Sequence, residues 1–258
     1  MSKYVDFISN NHFEDCVRHV LSAYGRAKEL EASLDDAIKE GNIFKSDLFS
    51  NVVDPFKMRF DTIRTSIKDC IEGEILRQLN KSVEQRLGEF HQKLLGGVKG
   101  WVDLGIGDSK KVDLKNEEET IFIEMKNKHN TCNSSSLNKV RDNLEVITGD
   151  YHNAVAYWAY IIPTKSNKSG NDVWIKKKRN KIPAIKRIWG ENVYELVTGD
   201  GSNLKRIHSA LPKVINTVLA KNNTEEISDI IERINKKLKP YYETIESALY
   251  KEVFVDHD

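Results

Sequence analysis

The fold is decided between residues 101 and 127, which read WVDLGIGDSKKVDLKNEEETIFIEMKN. A short alternating segment at 111–115 is followed by a polar turn at 116–119 and by a β-branched and aromatic run at 120–125. This order predicts a β-hairpin with an acidic tip. The buried run AVAYWAYII at 154–162 predicts a further strand of the same small sheet.

Three charged side chains of this hairpin form a candidate active site. Glu124 and Lys126 are two residues apart on a strand, so they share one face, where they interrupt an otherwise apolar run. Charges at such a place are costly unless they are paired or bound to a metal. A turn centred between residues 117 and 118 would pair Asp113 with Phe122, one step from Glu124.

This set of side chains suits the hydrolysis of phosphodiester bonds. Mg²⁺ favours one or two carboxylates together with water and phosphate oxygens, and Asp113 and Glu124 could share one such ion. A lysine beside the ion can orient the attacking water and stabilise charge on the phosphate. Lys126 is placed for that role, so the hairpin predicts a metal-dependent nuclease.

Two other interpretations of the hairpin stay open. The first candidate carboxylate could be Asp103, used with Asp113 and Lys115, although Lys115 lies next to the turn. Alternatively, Glu124 and Lys126 could be a solvated ion pair on a surface hairpin with no catalytic role.

Four segments extend the pattern beyond the hairpin: GEFHQKLLG (88–96), GW (100–101), VDLKN (112–116) and IFIEMKNKHNTCNSSS (121–136). Together they resemble a small family of type II restriction endonucleases of the PD-(D/E)xK superfamily, with Val112 in the loosely kept proline position. Known members of that family cut sites of the GGNCC or GGWCC type. The resemblance covers roughly residues 84–148, a quarter of the chain.

The resemblance implies a function and roles for single residues. The expected activity is Mg²⁺-dependent cleavage of double-stranded DNA that leaves 5′-phosphates, by a homodimer on a near-palindromic site. Carried over by position, Asp113 and Glu124 would be metal ligands and Lys126 the catalytic lysine. In this fold the preceding helix often brings a glutamate or glutamine to the metal, so the accessory candidates are Glu89, His91 and Gln92. A cognate DNA methyltransferase would protect host DNA and need not bind the endonuclease.

Two polar segments are predicted to contact DNA. The loop after the catalytic strand offers donors suited to phosphates and base edges: Asn127, Lys128, His129, Asn130, Asn133, Ser134 and Ser135. The run IKKKRNKIPAIKRIW (175–189) carries seven positive charges and no acidic residue. Its predicted phosphate contacts are Lys176, Lys177, Lys178 and Arg179. The first segment could also be an ordinary connector, and the second a solvated face.

The predicted fold class is α/β: a restriction-endonuclease-like core, with a small mixed sheet flanked by helices, plus a large N-terminal helical block and C-terminal helices. We interpret the whole chain, 1–258, as a single nuclease domain with three parts. These are the helical block 1–96, the catalytic α/β core 97–200 and the C-terminal helices 201–258.

Three finer predictions complete this organisation. Apolar residues recur at helical spacing from Phe56 to Leu94, and the helix they predict is expected to break near Asn80. VYELV at 193–197 is predicted as a short strand, and Pro212 is expected at a helix start.

Composition narrows the class of protein further. The 258 residues hold 40 Lys and Arg against 39 Asp and Glu, which excludes a globally basic DNA-binding chain. Three cysteines without a CxxC motif argue against a disulfide scaffold or a structural zinc site. No apolar run reaches the roughly 18 residues of a membrane span, so we expect no membrane partner and a cytoplasmic location. The alternatives to a restriction enzyme are a non-catalytic helical DNA-binding or interaction protein and a structure-specific repair nuclease on the same fold.

Overall fold

The computed structural model describes residues 2–50, 53–105, 111–175, 179–221 and 225–254. In chain order the helices are α1 (Asn10–Leu21), α2 (Arg26–Lys39), α3 (Asp47–Ser50), α4 (Pro55–Thr62), α5 (Ile67–Gly96), α6 (Ser134–Asp150), α7 (Glu191–Thr198), α8 (Asn203–Ala220), α9 (Ile227–Leu238) and α10 (Ile245–Phe254). The strands are β1 (Trp101–Asp103), β2 (Leu114–Asn116), β3 (Ile121–Lys128), β4 (Val155–Ile162), β5 (Gly170–Val173) and β6 (Ile185–Trp189).

Contacts divide the chain into two compact units. We call Met1–Val20 with Arg86–Lys221 the sheet unit, and Leu21–Gln85 with Asn222–Asp258 the helical unit. The interpretation of the chain as one domain, with its parts 1–96, 97–200 and 201–258, stays a prediction.

The sheet is mixed, as the predicted fold class requires. Its strand order is β1-β2-β3-β4-β6-β5. β1, β2 and β3 are antiparallel neighbours, whereas β3, β4 and β6 are parallel to one another and β5 closes the edge antiparallel to β6. A parallel pair needs a crossover connection, and α6 supplies it between β3 and β4. β4 is buried along most of its length, which explains its almost continuous apolar sequence.

Helix α6 packs against the face of the sheet that carries Glu124. Val140, Leu144 and Ile147 join Phe122 and Trp158 in one apolar cluster. The helix begins where the side chain of its N-cap residue, Asn133, accepts a hydrogen bond from the Ser136 amide at 2.9 Å.

The end of α5 is held close to the first strand. A Cβ atom at Gly96 would lie 2.5 Å from the Cβ of Asp103, and one at Gly97 would lie 2.2 Å from the His12 ring. The two glycines therefore end the helix and also permit this close approach.

The helical unit has an apolar core of its own. Leu30 and Leu34 of α2 pack with Ile71 and Ile75 of α5 and with Ile234 of α9. Polar contacts reinforce this core at its edge, where Glu31 accepts hydrogen bonds from Arg233 at 2.7 Å and from Lys237 at 2.9 Å. No helix in the described ranges is both long enough and apolar enough to cross a bilayer.

The predicted break near Asn80 is wrong. Helix α5 runs through Asn80, and the interruption lies earlier, between α4 and α5. There Ser66 and Asp69 form a capping box, in which the Ser66 hydroxyl accepts from the Asp69 amide at 3.1 Å and the Asp69 carboxylate accepts from the Ser66 amide at 3.3 Å.

Two other element predictions are also wrong. Residues 193–197 lie in α7, whose buried Val193, Tyr194 and Val197 follow a helical spacing. Gly199, with a φ of 77°, ends that helix in the left-handed conformation that favours glycine. Pro212 lies inside α8 rather than at a helix start.

Candidate active site

The turn between β2 and β3 lies one residue further along the chain than the sequence pattern predicts. Lys115 pairs with Phe122 and Leu114 with Ile123, so the predicted pairing of Asp113 with Phe122 is wrong. The physical reason lies in Asn116, whose side-chain oxygen accepts from the amides of Thr120 at 2.9 Å and Ile121 at 2.8 Å. These hydrogen bonds close a turn at 117–120, centred between residues 118 and 119, in place of the predicted turn at 116–119.

The shift of the turn changes the pairing by two residues and so brings Asp113 beside Glu124. The Asp113 amide donates to the Ile123 carbonyl at 3.0 Å, and its carboxylate oxygen Oδ2 accepts from the Met125 amide at 2.6 Å. The two partner residues, Ile123 and Met125, come directly before and directly after Glu124 in the chain. The sequence could not indicate the Met125 contact, because its donor is a backbone amide, which every residue except proline carries.

Lys126 lies between the two carboxylates. Its Nζ atom donates to Glu124 Oε1 at 2.5 Å and lies 3.9 Å from Asp113 Oδ2. The exposed side-chain fractions are 14% for Glu124, 21% for Asp113 and 29% for Lys126. The group is therefore largely buried, and the interpretation as a solvated surface pair is wrong.

Aromatic side chains of β4 lie next to this group. In the parallel register Glu124 is level with Trp158 and Lys126 with Tyr160. The Trp158 ring lies 5.1 Å from Tyr160 and 4.9 Å from Trp174, centroid to centroid. Its buried Nε1 atom has no hydrogen-bond partner among the described residues. Sequence reasoning identified this strand as buried but missed its place beside the site, because strand order is a long-range property.

Burial and charge shift the ionisation of all three groups. Burial raises the pKa of Asp113 and of Glu124, and the charge on Asp113 raises that of Glu124 further, while Lys126 offsets part of both shifts. Burial lowers the pKa of Lys126, but the charges of Glu124 and Asp113 outweigh it, so the pKa is raised overall. The lysine therefore stays protonated, and two carboxylates share one positive charge.

The donor set fits a hard divalent cation. Two adjacent, largely buried carboxylates favour added positive charge, and Mg²⁺ is usually held by one or two carboxylates plus water and phosphate oxygens. Within the described ranges no cluster of three or more His, Cys, Asp or Glu side chains could hold a metal. Asp113 and Glu124 are the residues that would hold such an ion.

The three accessory candidates have partners of their own. The Glu89 carboxylate lies 2.8 Å from His19 Nε2. His91 Nδ1 lies 2.7 Å from the Tyr194 hydroxyl. Burial lowers the pKa of His91 to about 4. Gln92 donates to the Asp103 carboxylate. An accessory role for these three stays a prediction.

Asp103 is held by a different set of contacts. Its Oδ1 atom accepts from Gln92 Nε2 at 2.7 Å and from the Gly105 amide at 2.9 Å. It pairs with Leu114 in the sheet, so the pleat places it on the face opposite Glu124. Lys115, the lysine of the alternative set, donates to Glu119 at the hairpin tip at 2.5 Å.

The predicted DNA-contacting residues differ in their positions. Asn127 and Lys128 are the last residues of β3, and Ser134 and Ser135 are the first of α6. His129 follows β3, and its backbone amide donates to the Ile162 carbonyl. Its buried ring atom Nδ1 has no hydrogen-bond partner among the described residues. Asn130 and Asn133 are exposed, and Asn133 already caps α6.

The basic run is described only in part. Lys176, Lys177 and Lys178 lie outside the described residues. Arg179 is described, and its guanidinium donates to Asp142 at 2.5 Å and lies 3.5 Å from Glu145. A DNA contact from Arg179 would have to replace these partners.

Comparison with known proteins identifies the family of this chain. The family model described as Eco47II restriction endonuclease matches residues 5–220. Type II restriction enzyme Eco47II from Escherichia coli is 35% identical over 202 residues, which cover 74% of this chain and 84% of that protein. Type II restriction enzyme Sau96I from Staphylococcus aureus is 28% identical over 224 residues, covering 82% and 79% respectively. This chain belongs to the Eco47II restriction endonuclease family.

Proposed function

We propose that this protein cuts double-stranded DNA at a specific sequence by hydrolysing phosphodiester bonds, with Asp113, Glu124 and Lys126 as its active site. The observation that carries the proposal is the meeting of two largely buried carboxylates on one lysine, with Nζ–O distances of 2.5 and 3.9 Å. Family membership supports the same class of reaction.

Each of the three side chains has a distinct task in this proposal. Asp113 and Glu124 would hold Mg²⁺, which when bound withdraws charge from the scissile phosphate and lowers the pKa of water. Asp113 is kept in place by the Met125 amide. Lys126 keeps its proton and donates to a phosphate oxygen or to the attacking water, and the buried aromatic side chains of β4 limit the access of bulk water. Water would add to phosphorus as the P–O3′ bond breaks, which leaves a 5′-phosphate on one side of the cut and a 3′-hydroxyl on the other.

Polar residues around the end of β3 would hold the DNA. Asn127, Lys128, His129, Asn130, Asn133, Ser134 and Ser135 surround the strand that carries Lys126, and their donors suit phosphates and base edges. Lys176, Lys177, Lys178 and Arg179 would add phosphate contacts. The expected target is of the GGNCC or GGWCC type, cut in the cytoplasm by a homodimer, while a cognate methyltransferase protects host DNA.

Incubation with unmethylated phage DNA, with Mg²⁺ or with EDTA, tests the proposal. We expect discrete Mg²⁺-dependent fragments whose sequenced ends share one short site and carry 5′-phosphates. A smear would instead favour a structure-specific nuclease. Binding without cleavage on several DNAs would favour a non-catalytic DNA-binding protein.

A further inference from the structure

The helical unit exposes an apolar surface on α4, the residue after it, and α10. We call it the α4–α10 surface, and its side chains are between 50% and 77% exposed: Phe56, Phe60, Ile63, Tyr250, Val253 and Phe254. The first three follow one another at helical spacing and form a stripe, as do the last three. The stripes meet, because the Phe56 ring lies 6.4 Å from Tyr250 and 5.7 Å from Phe254, centroid to centroid.

The extent of this surface approaches that of a protein–protein interface. With whole aromatic side chains at about 150–250 Å² each, the exposed parts of the six residues add up to roughly 600 Å². The largest apolar patch of a typical monomer is about 300–600 Å², and a stable complex buries about 800 Å² on each partner. A modest rim around these six side chains would complete such an interface.

The charges around the surface favour a second copy of the same chain over DNA or lipid. Arg59 pairs with Glu246 and Lys57 with Asp61, so the rim is balanced and would not repel its own copy. A DNA interface is strongly positive, and a helix that binds lipid usually has a basic polar face. The sequence of α10 has one lysine and two glutamates, which suits neither.

We propose that the α4–α10 surface is the contact between two copies of this chain. The inference rests on the proposed function in one respect. The described residues of one chain carry a single Asp113–Glu124–Lys126 group, and cutting both strands of a near-palindromic site calls for two. A two-fold contact presents the same surface from each copy and so forms a closed dimer.

The test is the association state of a double variant, Phe60→Glu with Ile63→Glu. These side chains are 73% and 77% exposed, so the fold of each chain does not depend on them. The matched control is Val146→Glu on α6, at a side chain that is 61% exposed. Sedimentation equilibrium without DNA should find the wild type and the control dimeric at micromolar concentration. In the double variant we expect the dimer dissociation constant to rise by about 100-fold or more.

Two results would overturn the inference: a double variant as dimeric as the wild type, or a wild type that is monomeric throughout. Should the double variant fail to fold, hydrogen exchange of the wild type at two concentrations replaces it. Slower exchange of α4 and α10 at the higher concentration is expected, and unchanged exchange would refute the contact. The outcome is separate from the proposed function, because a dimer that cuts no DNA refutes only that function, and a nuclease whose double variant stays dimeric refutes only this contact.

Discussion

Lys126 is the residue on which the electrostatics of the site depend. Asp113 and Glu124 meet in a largely buried corner, where burial raises the pKa of both carboxyl groups and the charge of Asp113 raises that of Glu124 further. The lysine balances one of the two negative charges and leaves the other unbalanced. A divalent cation would supply the missing charge, so the two carboxylates fit the proposed Mg²⁺.

Substitution of Glu124 and of Asp103 will decide which carboxylates act. We expect Glu124→Gln to lower cleavage by several orders of magnitude and to abolish the rise in melting temperature that Ca²⁺, used as a non-cleaving probe, gives the wild type. Asp103→Asn should leave both properties unchanged, because an amide oxygen can still accept from Gln92 and Gly105. Thermal melts with and without Ca²⁺, beside a cleavage assay, make the comparison. If Asp103→Asn loses both cleavage and the response to Ca²⁺ while Glu124→Gln keeps them, the active site consists of Asp103, Asp113 and Lys115 instead.

The alternation of side chains between the two faces of β3 was enough to predict that Glu124 and Lys126 share a face. The position of the β2–β3 turn was not predictable in the same way, because it is set by hydrogen bonds from the amides of Thr120 and Ile121 to the side chain of Asn116. The neighbour of β3 was not predictable either. Trp158 and Tyr160 lie beside the site only because β4 pairs with β3 in parallel, which no local pattern encodes.

The contact between α5 and α7 should make stability depend on pH. His91 of α5 faces the Tyr194 hydroxyl, and burial lowers its pKa to about 4, below the value of about 6.5 expected in the unfolded chain. The unfolded state therefore takes up a proton first as the pH falls, and stability is lost between pH 6.5 and 4. From pH 7 to 5 we expect His91 to account for about 1–2 kcal/mol of lost unfolding free energy.

Urea unfolding at pH 7 and pH 5 measures this loss. His91→Gln should show a smaller loss than the wild type, because glutamine does not titrate in this range. His152→Gln, at an exposed histidine of the same unit, serves as the control and should behave like the wild type. Equal losses in the wild type and in His91→Gln would mean that His91 is protonated in the folded protein.

For the whole molecule, charge is nearly balanced, so affinity for DNA must come from local groups. The net charge is +1, and the run at 175–189 holds seven positive charges without an acidic residue. Such a run can replace the counterions along a phosphate backbone, which makes binding depend steeply on salt.

Neutralising Lys176, Lys177 and Lys178 with glutamine should weaken DNA binding and flatten its salt dependence. Each lost phosphate contact removes roughly one unit from the slope of log affinity against log salt. Three exposed lysines of the helical unit, Lys39, Lys45 and Lys68, changed to glutamine together, form a charge-matched control whose slope should stay at the wild-type value. Fluorescence anisotropy over a range of salt concentrations gives both slopes, and equal slopes in the two triple variants would place the basic run away from DNA.

In the proposed mechanism, Lys126 and the two carboxylates together cleave DNA. Single-turnover cleavage of a duplex containing the mapped site, with binding measured in parallel, tests it most directly. We predict that Lys126→Ala cuts about 10³-fold or more slowly than the wild type while binding the duplex equally well, and that Lys115→Ala, the matched control, cuts at the wild-type rate. A Lys126→Ala protein that cuts within about tenfold of the wild-type rate would refute a catalytic role for Lys126.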